Sequence, residues 1–137
     1  MSEKGFTGKG TIFNRWDGSA WEALAYIRSI SGPDATRETH DVTTLDSAGG
    51  YREFIGGLRD GGAISMGMIF NATSYALMKA DFESDTLQEY QIVLPDTDST
   101  TFEFSGLVTD IPMEIPLDDV VTADVTIKIS GSTDMSS

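Results

Sequence analysis

The sequence predicts a single mainly β domain, a β-sandwich or barrel of about seven strands with one flanking α-helix. Three observations predict it. Short apolar–polar alternating segments recur along the chain, separated by Gly, Pro and Asp turn signals. Only one segment carries a helical period. A length of 137 residues suffices for one core and not for two.

Residues 1–10 (MSEKGFTGKG) show no periodicity and read as an N-terminal arm without a core of its own. Asp17-Gly18 is a hairpin turn signal between two short apolar stretches. WEALAYIRSI (21–30) fits strand or helix by pattern alone. Its Trp, Tyr and Ile content and the Ser31-Gly32-Pro33-Asp34 breaker favour strand. ATRETHDVTTL (35–45), rich in Thr, suits an exposed or edge strand. DSAGGYREFIGGLRDGG (46–62) contains three glycine pairs, whose backbone entropy opposes a packed strand or helix. It reads as a long flexible loop whose Tyr51, Phe54, Ile55 and Leu58 order against a partner.

AISMGMIF (63–70) puts Ile64, Met66, Met68 and Phe70 on one side of a period-two strand. The helix follows, capped by Asn71 or Thr73, with Tyr75, Met78 and Phe82 on its apolar face and Leu77 beside them. Asp81, Glu83 and Asp85 are expected on its other sides. EYQIVLP (89–95) is a strand stopped by Pro95, and DTDST (96–100) is a turn. TTFEFSGLVT (100–109) places Phe102 and Phe104 opposite Thr101, Glu103 and Ser105. Two prolines make DIPMEIPLDD (110–119) an extended connection. In the last strand Val121, Ala123, Val125, Ile127 and Ile129 alternate with polar residues, and 132–137 is expected to be a tail without structure.

The net charge of −13 is unevenly placed. Residues 1–79 carry nine acids and eight bases, whereas 80–127 carry twelve acids and no Lys or Arg. Such a chain repels nucleic acid, because phosphate binding needs Lys and Arg to displace counterions, and repels anionic membranes likewise. The acids are either a solvated face serving solubility or a surface past which DNA moves without sticking. No window holds the roughly 18 consecutive apolar residues of a membrane span, and the polar start lacks a secretion-signal pattern.

Chemistry finds little to work with. Cysteine is absent, and His40 is the single histidine, so thiol catalysis and a two-histidine zinc site are excluded within one chain. Ser65 in A-I-S-M-G misses the nucleophile-elbow pattern and lies inside an apolar strand. Gly8-Lys9-Gly10-Thr11 only echoes a phosphate loop. Asp96, Asp98, Asp118 and Asp119 are explained by turn chemistry better than by a metal. Trp16, Trp21, Tyr51 and Phe54 are core anchors or, with Arg15, Arg28, Arg37, Arg52 and Arg59 among them, a protein–protein interface. A near-neutral, Arg-bearing first half beside an acidic second half suggests head-to-tail pairing.

The segment DVTTLDSAGGYREFIGGLRDGG (41–62), with T-L-D-S and Y-R-E-F-I-x-G-L-x-D-G-G as its specific part, resembles the tail tube protein family of long-tailed, non-contractile bacteriophages. G-T-I-F-N-R-W-D-G (10–18), Y-x-I-V-L-P-D (90–96) and F-E-F-S-G-L-V-T-D-I-P (102–112) agree along nearly the whole chain. The resemblance implies a structural subunit, not an enzyme, with no cofactor. Six copies would form a ring, and rings would stack into a hollow tube in the virion tail after synthesis in the bacterial host's cytoplasm. Its partners would be other copies of itself, a tape-measure protein, and tail terminator and tail-tip proteins, with DNA passing through without tight binding and no membrane contact. Residue by residue, it assigns ring contacts to Leu45, Asp46, Tyr51, Arg52, Phe54, Ile55, Leu58, Arg59 and Asp60. Glu103 and Asp124, on the polar faces of their strands, are the candidates for the channel lining. The competing readings are a tube subunit of a type VI secretion-like system, a tail completion protein of the same fold, and a monomeric binding β-sandwich.

Overall fold

The computed structural model describes residues 5, 7–24 and 26–136. The strands are β1 (Ile12–Trp16), β2 (Trp21–Ala23), β3 (Ile27–Ser31), β4 (Thr36–Asp41), β5 (Phe54–Asp60), β6 (Ala63–Ile69), β7 (Gln88–Val93), β8 (Thr101–Asp110), β9 (Met113–Glu114) and β10 (Thr122–Ser136). Among the described residues one α-helix, α1 (Ala72–Glu83), lies between β6 and β7, and a short 3-10 turn covers Ala48–Gly50. Residues 1–4 and 6 of the expected arm, and residue 137 of the expected tail, lie outside the described residues.

The main sheet runs β2-β1-β7-β8-β10-β6-β3, with β9 paired to β10 beyond the end of β8. Its two terminal strands, β2 and β3, are consecutive in the chain and separated only by residues 24–26. The four steps from Ala23 to Ile27 span about 14 Å at most, so the sheet curls until these two edges come close. At one edge the Leu24 N–H donates to the Phe13 carbonyl, and at the other the Ile69 N–H donates to the Tyr26 carbonyl. The result is a barrel-like curled sheet whose two end strands do not pair with each other.

Its interior follows from the period-two pattern. Ile64, Met66 and Met68 of β6 lie opposite Ile127, Val125 and Ala123 of β10, and Phe13, Tyr90, Ile92, Phe104 and Ile129 join them in the core. The Tyr90 ring sits between Phe13 and Phe104, with centroids 5.6 and 5.7 Å away. Trp16 and Trp21 meet edge to face across the β1–β2 hairpin, turned at Asp17 and Gly18 as the sequence predicts.

The helix starts as expected and faces differently. The Asn71 side chain accepts from the N–H groups of Thr73 (3.1 Å) and Ser74 (3.2 Å), a cap worth about 1 kcal/mol. The buried stripe, however, is Ser74, Met78 and Asp81, while Phe82 is 47% exposed. Asp81 points inward because two strands supply its partners. Arg15 clamps it through two bonds of 2.8 and 2.6 Å, and the Tyr90 hydroxyl donates to it at 2.8 Å. Burial, reinforced by the Asp81 charge, pushes the Tyr90 phenol above its usual range, and the bond to Asp81 raises Arg15 further.

Two more expectations are corrected. Residues 132–136 are not a structureless tail. After a bulge at Gly131, β10 continues and pairs Asp134, Met135 and Ser136 with Glu103, Phe102 and Thr101. Nor is 46–62 loop throughout, because Phe54–Asp60 forms β5, antiparallel to β4 in a separate two-stranded ribbon.

Candidate assembly surfaces

The β4–β5 ribbon, with the turn 42–53 at its tip, carries all nine residues assigned to ring contacts. Its residues pack almost wholly outside the core. Leu45 is fully exposed, Leu58 and Tyr51 are 79% and 77% exposed, and Phe54 and Ile55 are more than half exposed. Trp16 and Trp21 are half-buried against each other, so the aromatics separate into hairpin anchors and exposed groups.

The glycines that argue against a strand are what allow this one. A side chain on Gly56 would occupy the place of the Arg37 guanidinium, and one on Gly57 would meet His40 and Glu38. The long side chains of β4 therefore lie across the bare backbone of β5. At the base, Gly62 adopts a φ of +81°, closed to most side chains, and lies hard against Asp34. The Asp34 carboxylate accepts from the Ala63 N–H at 2.7 Å, fixing where the ribbon leaves β6. Asp60 bonds Lys128 at 2.8 Å, and that contact, with the Gly62 N–H, holds its carboxyl below the usual range. At the tip, the Glu53 N–H donates to Thr43 and the Val42 N–H to the Glu53 carbonyl, closing the turn. Arg52 and Asp46 are exposed beside it.

The second surface is the outer face of the main sheet. Glu103 and Asp124 are exposed on it, opposite buried Phe104, Ala123 and Val125. They are not neighbours. Register separates them by about nine residue steps, roughly 30 Å, along β8 and β10. A ladder of amides orients Glu103: Asn14 donates to Gln91 at 2.7 Å, and Gln91 donates to Glu103 at 3.1 Å. Asp134 lies opposite Glu103 in register, a second acid that the reading of 132–137 as a tail missed. The one lysine of β10, Lys128, is the partner of Asp60.

A third feature lies in the extended connection 110–119. Between β8 and β10, Ile115 and Leu117 are 72% and 107% exposed, with Val120 beside them. The signal available in the sequence was apolar residues placed between prolines and acids.

Ser65 faces Ser31 and Thr126 across its neighbouring strands, and His40 lies on the ribbon opposite Ile55. Asp96 accepts from the Thr100 N–H and hydroxyl, the turn role expected of it. Among the described residues no helix is long and apolar enough to cross a membrane.

Solved structures share this fold. A chain in the tail of an empty GTA particle, from a helical refinement with C6 symmetry, superposes with a TM-score of 0.77 at 24% identity, over 97% of this chain and 100% of that one. A chain of the anti-feeding prophage baseplate gives 0.73 at 14% identity, over 99% and 97%. The SPP1 tail tube gives 0.62 at 10% identity, over 91% and 74%. No curated protein matches the chain. The sequence profile of a structural family, not an enzyme family, described as lambda phage tail tube protein, matches residues 4–136. That match spans the barrel, the helix and the ribbon alike, and the chain belongs to the lambda phage tail tube protein family.

Proposed function

We propose that six copies of this chain form a ring, that rings stack into the tail tube of a virion, and that the acidic outer face of the main sheet lines a channel through which DNA leaves. The observation that carries this reading is the ribbon. Five large apolar side chains, Leu45, Tyr51, Phe54, Ile55 and Leu58, stand outside the core of one small domain, where water contact is unfavourable. A surface of this kind is covered in an assembly, and the ribbon residues Leu45, Asp46, Tyr51, Arg52, Phe54, Ile55, Leu58, Arg59 and Asp60 are its subunit contacts.

The C6 symmetry of the GTA tail supports six as the ring number. The channel assignment rests on charge. Glu103, Asp124 and Asp134 share one face, and the Lys128 charge there is answered by Asp60. Phosphates are repelled by these carboxylates, since binding would need Lys or Arg to displace counterions. Tape-measure, terminator and tail-tip proteins are the partners this role requires. A chain of the sheath–tube complex of an extracellular contractile injection system shares the fold, with a TM-score of 0.69 at 15% identity, and favours a second reading, a tube that works inside a contractile sheath.

Negative-stain microscopy of the concentrated protein tests the proposal. Rings or tubes with a sixfold end view are expected, and featureless monomers at every concentration would end it. Purified tails that carry a sheath around this tube would select the second reading.

A further inference from the structure

We infer that the segment 111–120 is the receptor for the β4–β5 ribbon of a second copy of this chain, so that copies join head to tail. The inference rests on the tube reading and names the surface that reading leaves unassigned.

Position is the first argument. The ribbon enters β6 at Ala63, and the other end of β6, Ile69, is in register with Thr122, which pairs with Glu114. Seven residues of strand hold the two features about 20 Å apart at opposite ends of one rigid element. The ribbon and its receptor do not cover each other within the chain, where Tyr51, Leu58, Ile115 and Leu117 all stay exposed. They meet between chains, and such a heterologous contact repeats from copy to copy, around a ring or along a column of rings.

Chemistry is the second. Ile115 and Leu117 are exposed like Tyr51 and Leu58, so each surface has apolar groups for the other to cover. Arg37 and Arg59 face each other in register on the ribbon, and neither forms an ion pair with a described residue. Like charges directly opposed are destabilising until an anion comes between them. The segment 111–120 carries Glu114, Asp118 and Asp119 and no base. Pro112 and Pro116 keep it extended before it docks, which lowers the ordering cost of docking.

The absence of native cysteine gives a clean test. A chain with Leu58→Cys and Leu117→Cys, assembled and then oxidised, should give a ladder of covalent multiples, while either substitution alone gives none. Reversing Arg37→Glu with Arg59→Glu should raise the assembly concentration on the order of tenfold or more. Adding Glu114→Arg with Asp118→Arg in the same chain should restore it. All six positions are exposed, and unchanged circular dichroism and melting of the monomers will show that the fold is intact. Tubes that form without a ladder, or charge reversals that do not compensate, overturn this contact and leave the tube reading standing. A wild-type chain that never assembles overturns both.

Discussion

Asp81 occupies a position where helical spacing alone places charge in solvent, yet its side chain is 5% exposed. Its burial is stable because Arg15 and Tyr90 satisfy both carboxylate oxygens. Removing one partner of a buried pair strands the other charge, so Arg15→Ala should cost about 3–5 kcal/mol, read as a lower urea midpoint. Tyr90→Phe should cost less, about 1.5–3 kcal/mol at neutral pH, the range for a bond to a charged group. The pH dependence has a definite sign. The folded phenol lies above 10.0, its value in the unfolded chain, so its proton is kept longer by the fold. Stability from this group is therefore full below pH 10 and falls as pH rises beyond it, and the Tyr90→Phe chain should lose less stability between pH 9 and 11. Comparison of urea midpoints across that range checks it. None of this was legible in the sequence, because Arg15 lies 66 residues from Asp81 and meets it only through the sheet.

Among the elements, those facing the core were legible and those outside it were not. β6 and the first half of β10 alternate because one face of each is dry, and Ile64, Met66, Met68, Ala123, Val125, Ile127 and Ile129 are buried, whereas Phe70, just past the end of β6, is 38% exposed. β5 lacks that pattern because neither of its faces reaches the core. Backbone entropy alone sets its glycines against a strand, whereas the fold uses them as floor space for Arg37 and His40. The far half of β10 is held by its ladder to β8, which leaves no hydrophobic signature. The ribbon is thus two strands with few apolar contacts, an arrangement that is marginal in water. Amides of residues 46–62 should exchange quickly in the free subunit, well ahead of those in β6 and β8, and become protected on assembly. Slow exchange over this segment in a monomer would show that the ribbon is already ordered without a partner.

At the scale of the whole molecule, fold class and family were legible, since the motifs span nearly the full chain. Which sheet face looks into a channel was not, because that is set by neighbouring copies. Glu103→Lys with Asp124→Lys changes the net charge from −13 to −9 and places each lysine six times per ring. With a Debye length of about 8 Å at physiological salt, passing phosphates would feel them. Tubes should still form, since both side chains are exposed, and DNA release should slow. Normal release rates through well-formed tubes would put these acids on the exterior. The pairing of β6 with β10 has a mechanical consequence as well. In a head-to-tail column, a pull along the axis enters at Ala63 and leaves beyond Thr122, by way of seven register pairs from Lys128–Ala63 to Thr122–Ile69. Those antiparallel strands are loaded in shear, where the bonds resist together and do not peel one at a time. The joint between copies should therefore part under tension before the subunit unravels, leaving a broken tail with intact rings at its ends.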